Sequence, residues 1–231
     1  MTSEPMRWRD YFLRSGEECD AFWRVYLAER SREVLFILGH GFDSRMCMGI
    51  DRLLKLGGSG VRDVALVGFD EGESSPSQTY ANERKTNGQV LERLIQGRGK
   101  IVNKVVQMTS SEGRRVGARN IATEFSSLDD IVAYTDVVVD ISALPRGLYM
   151  PLVATLLAVI DGIPSGSARP NLHVLVSHSP DLDGRIVEEG LEDDASYLHG
   201  FAAAALENES TKDTPKIWMP VLGKRQRAQL E

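Results

Sequence analysis

Cysteine is nearly missing from this 231-residue chain: only Cys19 and Cys47 occur, too few for a disulfide framework or a four-thiolate zinc site. Histidine is sparse as well, with His40, His173, His178 and His199 lacking the close helical spacing of a metal-binding pair. There is no long hydrophobic run. The best stretch, Leu148 to Ile160, falls short of the roughly 18 apolar residues of a membrane span and carries Pro151 and Thr155. The opening MTSEPMRWRDYFLRS has no apolar core of signal-peptide length, so a cytoplasmic, bacterial-type protein is expected. Nor is there a basic excess: the net charge of -6 argues against coating nucleic acid, although a local basic pocket stays open.

What is present reads as an α/β chain. Aromatic residues at three-to-four spacing, Trp8, Tyr11, Phe12, Phe22, Trp23 and Tyr26, predict a helical arm over residues 1–30 that docks on the domain or on a second copy. Val34 to Leu38 is a continuous apolar run ending in Gly39-His40-Gly41, the signature of a strand buried on both faces. Strands are likewise expected at 64–67, 101–106, 136–140 and 172–176, with a final edge strand at 216–219. Helices are expected over 44–56, 79–96, 116–125, 128–134, from Pro145 to Ile160, and over 197–206. Strand and helix alternate at least four times. That pattern predicts a Rossmann-like open, mainly parallel sheet of five to six strands over residues 31–222, with helices on both faces. The charged tail 223–231 is a terminus or the cut edge of a longer chain.

Open parallel sheets bind ligands outside the carboxyl ends of their strands, so the residues just past each strand carry the functional reading. After the first strand, Gly39 and Gly41 allow a tight turn and close approach of a ligand to bare backbone. Asp43 or Ser44 can cap the helix that follows, whose amides favour an anion, and Arg45 stands beside them. Asp70 and Glu71 end the second strand at about the separation of a ribose-binding acid. Arg114 and Arg115 follow the third strand, and Ser142 and Arg146 the fourth. Arginines at three strand ends point to a small polyanionic ligand, because the guanidinium fork pairs two-on-two with phosphate oxygens. Asp140 follows three valines, so its carboxylate emerges from a buried strand and needs a partner. Asp140, His40 and His178 are the candidate catalytic groups, since imidazole titrates near neutrality.

The loop GHGFDSR resembles the cofactor loop of methyltransferases of the leucine-carboxyl type, which implies S-adenosylmethionine. VVVDISALPRG is similar to the ribose-phosphate loop of phosphoribosyltransferases, with Ile141 in place of the second acid and Pro145-Arg146 in place of Thr-Gly. FILGHGFDSR, DISALPRG and IWMPVLG together resemble uncharacterised Rossmann-like bacterial proteins, some from anti-phage loci. The expectation is therefore binding, with or without processing, of a nucleotide or phosphoribosyl-type ligand. S-adenosylmethionine ranks behind these because it has no phosphate for the later arginines. The alternatives are a transferase of either type, or a protein-interaction module of a defence system that works through the aromatic arm.

Overall fold

A computed structural model describes residues 11–70, 76–164 and 166–183. In chain order the elements are α1 (Gly16–Ala28), β1 (Val34–Gly39), α2 (Met48–Leu56), β2 (Arg62–Asp70), α3 (Ala81–Ile95), β3 (Ile101–Gln107), α4 (Gly117–Glu124), β4 (Asp136–Asp140), α5 (Arg146–Asp161), β5 (Asn171–Leu175) and α6 (Pro180–Asp183). Short 3-10 turns at Ser44–Cys47, Pro76–Tyr80 and Leu128–Asp130 lead into α2, into α3 and towards β4. The strands form one sheet in the order β3-β2-β1-β4-β5, and every pairing is parallel.

The apolar runs settle which strands lie inside. Every residue of β1 and β4 is buried, whereas β3 and β5, at the edges, alternate with exposed positions. Side chains alternate across the sheet. Phe36, Val64, Leu66 and Val138 pack on one face beneath α1, α2 and α3, through Trp23, Leu27, Ile50, Leu53, Leu91 and Ile95. Leu35, Ile37, Val67, Val137 and Val139 pack on the other beneath α4 and α5, through Ile121, Leu148, Leu152 and Leu156. Helices thus cover both faces of an open parallel sheet, a Rossmann-like α/β architecture.

Local structure departs from the sequence expectation in three places. The helix expected over 44–56 begins as a 3-10 turn, because Asp43 caps it by accepting from the Arg45 amide at 2.8 Å. β2 runs from Arg62 to Asp70, longer at both ends than the expected 64–67, and Asp70 closes it paired with Gln107. The segment after Leu128 makes only a short turn in place of a helix to Tyr134. Trp8, Glu71, the helix expected at 197–206, the strand expected at 216–219 and the tail lie outside the described residues.

The arm α1 is tied down through a buried acid. Asp136, at the amino end of β4, accepts the hydroxyl protons of Tyr26 (2.5 Å) and Thr135 (2.7 Å) and a ring N–H of His173 (3.0 Å), with Arg32 at 3.5 Å. The Arg32 guanidinium lies 3.3 Å from the centre of the Tyr26 ring, and Trp23 and His173 pack ring to ring at 4.7 Å. Burial opposes the charge on Asp136. The hydrogen bonds from His173, Tyr26 and Thr135 outweigh it and hold the carboxyl well below the usual carboxylate range.

Candidate ligand-binding site

Strand order reverses between β1 and β4, whose neighbouring pairing of Leu38 with Asp140 brings their carboxyl ends together. Such a reversal opens a crevice in doubly wound sheets. Here the β4 loop leans into it. A Cβ on Gly39 would lie 2.5 Å from the Ala143 carbonyl oxygen, and one on Gly41 would lie 3.1 Å from the Ala143 Cβ. The two glycines therefore admit the neighbouring loop at close range, a role the sequence leaves indistinguishable from ligand contact.

The β1 turn is rigidly braced. Asp43 clasps the buried Arg45 side chain, with Nη2 donating at 2.6 Å and Nε at 3.0 Å. Ser44 is exposed beside them. Asn87, on α3, donates its amide to the carbonyls of both Gly41 and Asp43 at 3.0 Å. His40 reaches the Arg84 carbonyl at 3.1 Å, and Gly88 leaves room for its ring. Asn87 had no signal in the sequence, since it sits mid-helix more than forty positions from the loop it holds.

The end of β4 is arranged differently. Asp140 Oδ1 accepts from the Ser142 amide (2.9 Å) and the Ser142 hydroxyl (2.5 Å), and the Ser142 oxygen in turn accepts from the Ser177 amide at 2.8 Å. Oδ2 is buried and has no hydrogen-bond partner. Burial raises the Asp140 carboxyl to about 6, against the two bonds from Ser142. Oδ2 lies under the first turn of α2, where Gly49 leaves it room: a Cβ there would collide with Oδ2 and with Leu175. Cys47 is packed nearby, its thiol pushed up to about 11 by burial and by the Asp140 and Asp51 carboxylates, so it is inert at neutral pH.

Beyond the β4 loop, α5 begins at Arg146 after Pro145, with no side-chain cap. The Leu148 and Tyr149 amides donate to the Pro145 carbonyl at 2.9 and 3.0 Å, so the helix start leaves the amides of Arg146 and Gly147 without a helical acceptor. Arg146 is exposed, and a Cβ on Gly147 would meet nothing within 4 Å. Arg114 and Arg115 sit on an exposed turn after β3, where Arg114 pairs with Glu112 at 3.3 Å. His178 is exposed just past Ser177.

A groove of about 450 Å³ runs between α1, α2 and the end of β5, lined by Trp23, Gly49, Leu53, Leu175, Ser177 and His178 among others. The Asp20–Arg52 and Asp51–Lys55 pairs stand on its rim. It lies on the Asp140 side of the sheet, with Gly49 and Leu175 between the groove and the carboxylate. Among the described residues no cluster of His, Cys, Asp and Glu could hold a metal ion. No helix among them is long and apolar enough to cross a membrane.

Fold and strand order define a Rossmann-like α/β domain. No family model and no curated protein matches the sequence. Among solved structures the chain is similar to pantoate-beta-alanine ligase from Francisella tularensis, crystallised with beta-gamma ATP and beta-alanine. The identity is 13%, the TM-score 0.39, and the match covers 70% of this chain and 66% of the ligase, just under two thirds of its length.

Proposed function

We propose that the chain binds a small phosphate-bearing ligand of nucleotide type at the carboxyl edge, across the ends of β1 and β4, with its phosphate at the amino end of α5. One observation carries this reading. At the reversal of strand order the β1 turn is closed by Asp43, Asn87 and Ala143, while the next helix start is uncapped, has open space beside Gly147 and presents Arg146 to solvent. Unpaired helix amides and a guanidinium fork together suit a phosphate. Ser142, on the loop that joins β4 to α5, is the polar side chain this reading offers to sugar hydroxyls. Asp140 is buried beneath Gly49 and Leu175 and acts on such a ligand only through Ser142, whose hydroxyl it accepts from.

The test is thermal unfolding of the full chain with ATP, with phosphoribosyl pyrophosphate plus Mg²⁺, and with S-adenosylmethionine. A ligand that binds only the folded state raises the midpoint. A rise with either phosphate compound, lost in Arg146→Ala, supports the proposal. A rise with S-adenosylmethionine alone favours the methyltransferase reading, and no rise with any of the three overturns both.

A further inference from the structure

We infer that Phe42, backed by Tyr80, is a stacking platform for a planar heteroaromatic ring, so that the ligand of this edge carries a nucleobase and does not end at a ribose phosphate. The location rests on the phosphate-ligand reading above; the platform itself rests on its own geometry.

The two rings come from different segments, Phe42 from the β1 turn and Tyr80 from the 3-10 turn before α3. They stack with centroids 4.4 Å apart and planes 22° from parallel. Both stay open to solvent, Phe42 at 42% and Tyr80 at 43% exposure. Water disfavours exposed aromatic surface, and a mobile loop would relieve that cost by folding the ring inward. This loop cannot. Asn87 holds the carbonyls on either side of Phe42, His40 bonds its amide to the Val67 carbonyl at 2.7 Å, and Asp43 is locked to Arg45. The backbone is fixed so that Phe42 points out.

The position matters as much as the exposure. Phe42 follows Gly41 directly, so it stands on the same sheet edge as Asp140 and the start of α5. By contrast, the larger aromatic cluster of Phe22, Trp23, Tyr26 and His173 gathers around Asp136 at the opposite end of β4. A pair of near-parallel rings is too small a patch to hold a protein partner. It matches the face of a single base, whose stacking on an aromatic side chain contributes substantially and tolerates any base.

The experiment separates the platform from the phosphate reading by splitting the ligand. Saturation-transfer NMR on the full chain uses adenosine, which has no phosphate, and calorimetry uses ATP and pyrophosphate, with Phe42→Ala, Phe42→Trp and Arg146→Ala compared. Circular dichroism checks that each variant folds. The expected result is adenosine contact with the Phe42 and Tyr80 ring protons, persisting in Arg146→Ala. ATP affinity should fall about tenfold or more in Phe42→Ala and be kept in Phe42→Trp, with pyrophosphate affinity unchanged. ATP binding that needs Arg146 but is indifferent to Phe42→Ala overturns the platform and leaves the phosphate reading standing. Adenosine contact without any phosphate effect does the reverse. Absence of binding by all three compounds overturns both.

Discussion

Asp136 and Asp140 mark the two ends of β4, point to the same face of the sheet and are both buried, at 0% and 2% exposure, yet their surroundings are opposite. Asp136 receives donors from Tyr26, Thr135, His173 and Arg32. Asp140 receives them on one oxygen only, both from Ser142. One end of the strand is thus a closed structural anchor for α1. The other end holds a carboxylate the fold does not neutralise, on the edge where open parallel sheets bind their ligands.

The pair gives stability a defined pH profile. Asp140 is raised from an ordinary 3.8 to about 6, so its charged form opposes folding fully above pH 6, and the penalty fades as pH falls towards 4. Asp136 is lowered, so its stabilisation is present above the ordinary carboxylate range and is lost as pH falls below it. Stability contributed by the two acids should peak near pH 4 and fall between about pH 4 and 6. In Asp140→Asn the fall between about pH 4 and 6 should disappear: relative to the parent, the variant should gain roughly 1–1.5 kcal/mol between pH 5 and pH 8. Urea midpoints at the two pH values measure it, and parallel curves would count against a raised Asp140.

Truncating the other acid should have the opposite sign. Asp136→Ala takes an acceptor from the half-buried Tyr26 hydroxyl and from the buried Arg32, which keeps Glu29, and breaking a buried charged network in this way costs about 3–5 kcal/mol. Tyr26→Phe removes one donor and should cost about 1–3 kcal/mol. Urea unfolding followed by tryptophan fluorescence reads both, because Trp23 loses its packing on His173 if α1 lifts away.

Gly49→Ala should be destabilising out of proportion to one methyl group, since the new Cβ lands on Asp140 Oδ2 and Leu175. Combining it with Asp140→Ala removes half of the collision. The double variant should therefore lose less stability than the sum of the two singles, with a coupling of about 1 kcal/mol or more. Additive losses would mean that the cost of Gly49→Ala does not arise at Asp140.

Asn87→Ala should free the β1 turn. Two carbonyls lose their donor, for an expected cost of about 1–2 kcal/mol. Hydrogen exchange should quicken at the amides of residues 40–45 and stay unchanged in β3. If the turn keeps its protection, Asn87 is not its brace.

Much of the architecture was legible in the residues. The apolar runs of β1 and β4 announced strands buried on both faces, Asp43 announced a helix cap, and Asp140 stood out as an acid at the end of three valines. These are local signals, because burial on both faces or the start of a helix is written into neighbouring residues, although the structure chose Asp43 over Ser44 as the cap. Tertiary structure alone decided the rest. The order β3-β2-β1-β4-β5 comes from which strands pair, and no local pattern encodes it. Arg45, one of the arginines read as facing an anion, is clasped by Asp43 two positions before it, whereas Arg146 stands in solvent at an uncapped helix start. The space beside Gly39 and Gly41 went to Ala143, a hundred positions away. Composition and spacing state which groups are available. Whether a given carboxylate, guanidinium or glycine meets a partner or solvent depends on segments far apart in the chain, and only packing brings them together.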